Sequence, residues 1–205
     1  MSKLVALIIG ITGQDGSYLA YLLIKKGYKV YGTSRDALTA NTSNLKLLGI
    51  EEEVDLLTTS TNDFRSIIFT LEKTNPDLIF HLGGQTSVGL SFQLPFEAVE
   101  SISTSTLNLL ESVRFFNKKI RIFVPCSSDC FGNLNKIRPA NEKTPLNPMS
   151  PYAVAKSSAF WLAKTYRESY GMFISIGFLS NHESPIRGKH FVTSKIFNTI
   201  KKIKK

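Results

Sequence analysis

Apolar residues in this chain follow two rhythms that alternate from the N-terminus onward. Short unbroken runs, such as Leu4-Val5-Ala6-Leu7-Ile8-Ile9 and Leu78-Ile79-Phe80-His81-Leu82, have the length of strands buried on both faces. Between them lie longer segments whose apolar positions recur at three or four residues, the period of helices packed on a sheet. The pattern predicts strands over Leu4–Ile9, Tyr28–Thr33, Val54–Leu57, Leu78–Leu82, Ile120–Pro125 and Phe173–Leu179. It predicts helices over Ser17–Lys26, Phe64–Lys73, Phe96–Phe116, Pro151–Ser169 and Val192–Ile203, with a short one around Leu45. Several ends carry their own signals. Gly27 and Gly171 stand where a left-handed C-terminal residue belongs, and Asn75-Pro76 stops the helix before it. Ser150-Pro151 supplies a capping hydroxyl followed by proline at the first helical position. Strand–helix alternation with short connections predicts an α/β fold, a doubly wound parallel sheet covered on both faces.

Gly10, Gly13 and Gly16 fall between the first strand and the first helix. Glycine there permits a tight turn, lets backbone approach a pyrophosphate, and lets helix and strand pack closely, while the helix N-terminus offers free N–H groups. The sheet is therefore expected to be of Rossmann type, with a dinucleotide at this loop. Cofactor choice is read at the end of the second strand, where an acidic residue holds the ribose hydroxyls of NAD and an arginine accommodates the 2′-phosphate of NADP. The chain has Ser34-Arg35-Asp36 there. Arg35 favours NADP and Asp36 pulls the other way.

Tyr152 and Lys156 lie one helical turn apart on one face. A phenol acting as a base at neutral pH needs its pKa lowered by about 3, roughly 4 kcal/mol, which a nearby ammonium favours. Spacing alone does not carry this, because Tyr21 and Lys25 share it and read only as a helix surface. Position does. The strand Ile120–Pro125 runs into Cys126-Ser127-Ser128-Asp129-Cys130-Phe131-Gly132 at the carboxyl edge, where open α/β sheets bind ligands. Ser127 and Ser128 offer hydroxyls to a substrate alcohol, and Asp129 offers a second acid/base.

Composition narrows the field. In 205 residues, 42% hydrophobic, no apolar run approaches the roughly 20 residues of a membrane span. Two cysteines make no disulfide framework, so a reducing cytoplasm fits and both read as packing residues. Three scattered histidines form no metal set with them, and His81, within an apolar strand, reads as a core residue. The formal charge of +9 suggests nucleic acid at first sight. Yet seven of the 25 basic residues lie after Ser184, a stretch without acidic residues, which leaves 18 against 16 in the body. Neither nucleic acid nor membrane is expected as a partner.

The segments Gly10 to Ala20, Ser150 to Lys156, Tyr166 to Met172 and Asn181-His182-Glu183-Ser184-Pro185 resemble the extended short-chain dehydrogenase/reductases, most closely the GDP-mannose 4,6-dehydratase family. The resemblance covers essentially the whole chain. It implies NADP as cofactor, with Gly10, Ile11, Thr12, Gly13, Gln14 and Asp15 at the pyrophosphate and Arg35 at the 2′-phosphate. It implies further cofactor contacts from Leu82, Gly83, Gly84, Gln85, Thr86, His182 and Arg187, and a catalytic set of Ser127, Asp129, Tyr152 and Lys156. Ser127 stands where the family has threonine, and Asp129 where it has glutamate. The implied reaction converts GDP-mannose, or a related sugar nucleotide, to its 4-keto-6-deoxy form. Another reductase or epimerase of the superfamily, needing Tyr152 and Lys156 but no carboxylate at 129, and an inactive cofactor-binding remnant are the alternatives. The resemblance divides the chain into a dinucleotide-binding domain, 1–184, and the start of a substrate-binding segment, 185–205, the rest of which would be missing. The helix Phe96–Phe116 fits either a homo-oligomer interface, common in this class, or burial within the monomer.

Overall fold

The computed structural model describes residues 3–116, 119–133, 139–189 and 191–203. Six parallel strands, β1 (Val5–Ile9), β2 (Lys29–Ser34), β3 (Val54–Thr58), β4 (Leu78–His81), β5 (Arg121–Ser127) and β6 (Ile174–Leu179), form one sheet in the order β3-β2-β1-β4-β5-β6. The chain builds outward from β1 to β3, then crosses back to lay β4 on the other side of β1. That reversal opens a crevice at the carboxyl ends of β1 and β4, where no connection covers the sheet edge.

The helices are α1 (Gln14–Lys25), α2 (Ser43–Leu47), α3 (Phe64–Thr74), α4 (Val88–Gln93), α5 (Pro95–Val99), α6 (Ser105–Phe116), α7 (Pro151–Tyr170) and α8 (Val192–Ile203). The two-residue period of β1 sorts them into layers. Leu7 and Ile9 belong to a cluster with Ile67 and Leu71 of α3, Leu109, Leu110 and Val113 of α6, and Ala163 and Tyr166 of α7. Ala6 and Ile8 join the opposite cluster with Ala20 and Leu23 of α1 and Leu45 of α2. Leu71, Leu109 and Leu110 are fully buried, and burying each contributes about 1.5–3 kcal/mol.

The helix ends largely follow the expected signals. Ser150 Oγ accepts from the Ala153 N–H at 3.1 Å, and Gly171 closes α7 at φ 65°. Asn75 closes α3 in the left-handed region at φ 43°. The long helix predicted over Phe96–Phe116 runs from Pro95 as α5, a π-helical segment Glu100–Thr104, and α6. Two expectations change. α1 begins at Gln14 instead of Ser17, so Gly16 lies within its first turn. α4 was not expected; its start is capped by Ser87 Oγ, which accepts from the Leu90 N–H at 3.2 Å. On α7, Trp161 is 53% exposed, while its neighbour Phe160 packs against Phe178 of β6 at 5.4 Å between centroids. α8 buries no residue, and Val192, Ile196, Phe197, Ile200 and Ile203 are all exposed.

Candidate active site

The crevice is a cavity of about 540 Å³ whose walls come from several separate parts of the chain. The β1–α1 turn contributes Gly10, Gly13, Gln14, Asp15 and Gly16; the end of β4 contributes Leu82, Gly83 and Thr86; the end of β5 contributes Pro125, Cys126, Ser127 and Asp129; and α7 contributes Tyr152 and Lys156. The segment after β6 closes it with His182, Glu183 and Arg187.

The glycines at the turn answer a spatial demand. A Cβ on Gly16 would lie 2.4 Å from the Gly10 carbonyl oxygen and 2.6 Å from the Ile11 Cα. A Cβ on Gly10, which sits at φ +82°, would lie 2.8 Å from the backbone of Gly83. The N-cap Gly13 makes no side-chain cap, so the first N–H groups of α1 face the cavity without one. An uncapped helix N-terminus above a glycine turn fits an anion such as a pyrophosphate. The segment after Leu179 is tied onto this turn. Ser184 Oγ donates to Gln14 Oε1 at 2.7 Å, and His182 Nε2 lies 2.7 Å from Asp15 Oδ1. His182 Nδ1 donates to the Ser180 carbonyl at 2.8 Å, and with acceptors at both ring nitrogens its pKa is raised, first by that carbonyl and then by Asp15.

At the other end of the cavity, α7 brings Tyr152 and Lys156 beneath β5. Lys156 is buried, donates from Nζ to the Pro125 carbonyl at 3.1 Å, and lies 5.9 Å from the centre of the Tyr152 ring. Burial lowers its pKa. Tyr152 is also buried, and desolvation pushes its phenol up to about 12 despite an opposing hydrogen bond with Ser127. Ser127 Oγ donates to Asp129 Oδ2 at 3.1 Å and accepts from the Asp129 N–H at 3.2 Å, which holds the carboxylate at the head of the 3₁₀ turn Ser128–Phe131. A phenol, a hydroxyl, a carboxylate and a buried ammonium thus meet at one end of the crevice, as acid/base chemistry on an alcohol requires. Tyr21 and Lys25, with the same spacing, make only a surface cation–π contact at 4.3 Å.

That combination of turn, crevice and Tyr–Lys helix is matched by the family model for GDP-mannose 4,6 dehydratase over residues 7–205. The chain belongs to the GDP-mannose 4,6-dehydratase family. It is 44% identical to a GDP-mannose 4,6-dehydratase of Vibrio cholerae serotype O1, covering 96% of this chain and 54% of that protein. It is 38% identical to GDP-mannose 4,6 dehydratase 1 of Arabidopsis thaliana, covering 98% and 58%. The chain therefore spans about half the length of the curated relatives it matches. Among solved structures, a UDP-glucose 4-epimerase of Thermus thermophilus in complex with NAD shares the fold at a TM-score of 0.85 and 22% identity, over 95% of this chain and 61% of that one. A dTDP-glucose 4,6-dehydratase of Streptomyces venezuelae with NAD bound does so at 0.86 and 20%, over 96% and 62%.

Not every residue expected at the site of this family member lines the cavity. Ile11 is fully buried in the core beneath the turn. The Thr12 carbonyl accepts from Asn44 Nδ2 at 3.0 Å, which brings Asn44 to the cavity wall, a position no motif marked. Gly84 and Gln85 lie behind the β4 end, where the Gln85 N–H donates to Ser101 Oγ at 3.1 Å. Arg35 stands exposed past the end of β2. The neighbouring Asp36 carboxylate accepts from the Thr39 hydroxyl at 2.7 Å and the Leu38 N–H at 2.9 Å, and these bonds lower its pKa. His81 is a core residue, with Nε2 3.2 Å from Ser105 Oγ and a pKa lowered to about 3 by burial and by Lys156. Among the described residues no group of His, Cys, Asp and Glu is arranged to hold a metal ion, and no helix is long and apolar enough to cross a membrane.

Proposed function

We propose that this chain carries the dinucleotide and acid/base half of a nucleotide-sugar 4,6-dehydratase, acting on GDP-mannose with NADP. The observation that carries the reading is the cavity itself, which joins the uncapped α1 N-terminus to Ser127, Asp129, Tyr152 and Lys156. The turn of Gly10 to Asp15 would hold the pyrophosphate on backbone N–H groups. Arg35 would meet the 2′-phosphate, and the commitment of Asp36 to its own turn supports NADP over NAD. Residues 1–184 form the cofactor domain in this reading, and 185–205 begin the segment that meets the sugar nucleotide.

A nicotinamide held in this cavity would supply a reversible hydride acceptor for C4 and donor for C6 of the sugar, and its positive ring would favour ionisation of a nearby phenol. The chain's own groups manage the protons. Tyr152 takes the C4 hydroxyl proton, with Ser127 hydrogen-bonded to it and Lys156 fixed beneath it on the Pro125 carbonyl. Asp129 removes the C5 proton, made acidic by the 4-keto group, and hands it to the C6 hydroxyl, which leaves as water; Tyr152 then returns its proton to C5 as C6 is reduced. The product is GDP-4-keto-6-deoxymannose, and the sequence is redox-neutral overall.

The test is to incubate the chain with NADP and GDP-mannose and to follow the 4-keto product. Product formation is expected, with Asp129→Asn abolishing elimination at unchanged NADP affinity. Tight NADP binding without any product would sink the dehydration reading for this chain. Retained elimination in Asp129→Asn would move the base elsewhere.

A further inference from the structure

The site holds a pair of groups that the acid/base reading does not use. Cys126, the sixth residue of β5, and Cys130, in the 3₁₀ turn after it, bring their sulfurs to 3.4 Å. Neither is bonded to the other, and both are buried. Cys126 nevertheless belongs to the cavity wall beside Ser127, whereas Cys130 lies behind it with no exposed surface. Each thiol also reaches a carbonyl of α7, Cys126 that of Lys156 and Cys130 that of Ala153, both at 3.6 Å. A cysteine of the cavity wall with a second sulfur 3.4 Å behind it is the arrangement of an attacking and a resolving thiol.

We propose that Cys126 and Cys130 form an oxidisable dithiol in the wall of this site, which a peroxide converts to an intramolecular disulfide. The Cys126 thiolate attacks the peroxide O–O bond and becomes a sulfenic acid, releasing water once the departing hydroxide takes a proton. Cys130 then attacks the Cys126 sulfur, its thiol proton leaves with the hydroxyl as a second water, and the S–S bond forms. Two thiols are oxidised, one peroxide is reduced, and two waters result. The electrostatics favour a shared thiolate. Hydrogen bonding to Cys126 brings the Cys130 thiol down to about 6, while the Cys126 thiol is pushed up by the same bond and by burial. The two sulfurs in contact share one proton that rests on Cys126, and Cys126 attacks in the minor form in which that proton has passed to Cys130.

Bond formation draws the sulfurs together from 3.4 Å to about 2.05 Å. The closed ring spans Cys126 to Cys130 and so contains Ser127 and Asp129. It also removes both S–H donors from the α7 carbonyls beside Tyr152 and Lys156. Oxidation of this pair therefore acts on the residues that the proposed chemistry needs, and on that point it rests on the functional reading above.

The test uses the whole chain and hydrogen peroxide, with intact mass as the readout. A loss of 2 Da is expected, with a peptide cross-linking positions 126 and 130 and full reversal by dithiothreitol. In Cys130→Ala, where the resolving thiol is gone, a gain of 16 Da trapped by a sulfenic-acid reagent at Cys126 is expected instead. Unchanged mass with two thiols still open to alkylation after unfolding would overturn the proposal, as would stable gains of 16 or 32 Da in the parent chain. A separate fluorescence titration of the reduced chain with NADPH reads the cofactor assignment alone. Failure of that assignment is thereby distinguished from failure of the dithiol.

Discussion

Replacing Gly16 by alanine tests the closest packing in the phosphate turn. The added Cβ would meet the Gly10 carbonyl oxygen at 2.4 Å and Ile11 Cα at 2.6 Å, and both obstacles are backbone. Ordinary contact requires a separation near 3.4 Å, so the first turn of α1 must withdraw from the β1 turn by about 1 Å. Overpacking of this kind costs about 1–3 kcal/mol of stability. The same movement lengthens each hydrogen bond from the α1 N-terminus to a bound phosphate by about 1 Å, beyond useful range. With one such bond worth about 1.5–3 kcal/mol, NADPH affinity should fall at least about tenfold. Fluorescence titration with NADPH and a thermal melt measure the two effects. Gly27→Ala is the control. Gly27 sits at a left-handed φ of +82°, which Gly16 does not, and has nothing within 4 Å of its would-be Cβ. It should lose about 1–2 kcal/mol to backbone strain, with cofactor affinity unchanged. If Gly16→Ala bound NADPH as the parent does and melted at the same temperature, the close-approach argument would be wrong.

Arg35→Ala should weaken NADPH far more than NADH, by about tenfold or more, because only the former carries the 2′-phosphate; equal losses would exclude Arg35 from that role. Glu111 is held down to about 2, first by Arg114 and then by the Tyr166 hydroxyl at 2.5 Å. A carboxylate with a depressed folded-state pKa stabilises above its unfolded value and loses that contribution as pH falls, here between about pH 5 and 2. Glu111→Gln should flatten the acid limb of a stability–pH curve by about 1–2 kcal/mol after solvent screening, and an unchanged limb would refute the pairing. His182 behaves oppositely. Its raised pKa makes the Asp15 contact fully effective below the unfolded value near 6.5, and the contribution is lost as pH rises through the folded value. His182→Asn should therefore remove a small stability decline that sets in as pH rises above about 6.5, visible in denaturant midpoints, and a decline that persists would place its source elsewhere.

The strands and layers were legible because burial on both faces leaves runs such as Val5–Ile9 with no competing period. What sequence reading misplaced was local. α1 was started late because glycine discourages helix, whereas Gly16 enters the first turn for want of space against Gly10. Val88-Gly89-Leu90-Ser91-Phe92-Gln93 alternates apolar and polar like a strand, and the Ser87 cap turns it into a helix. At the site, side-chain types were readable and partners were not. Asp36 reads as a rival to Arg35, and no motif shows that its carboxylate is bonded to Leu38 and Thr39. The carbonyl of Pro125 that anchors Lys156, and the 3.4 Å approach of Cys126 to Cys130, arise from how α7 meets β5 and leave no mark in any motif.

The strand order also dictates when the crevice comes into being. β1 finds β2 across a loop of about 24 residues, as Val5 pairs with Lys29, so the β1-β2-β3 half of the sheet can assemble early. β1 meets β4 only when Val5 and Asp77, 72 residues apart, exchange hydrogen bonds at 2.9 Å in each direction. The longer loop adds only about 1 kcal/mol of closure entropy, but no contact repays it until β4 has docked, and such delayed pairing slows folding. A partly folded chain would thus carry the glycine turn and α1 on a half-sheet. The wall that faces them would arrive last.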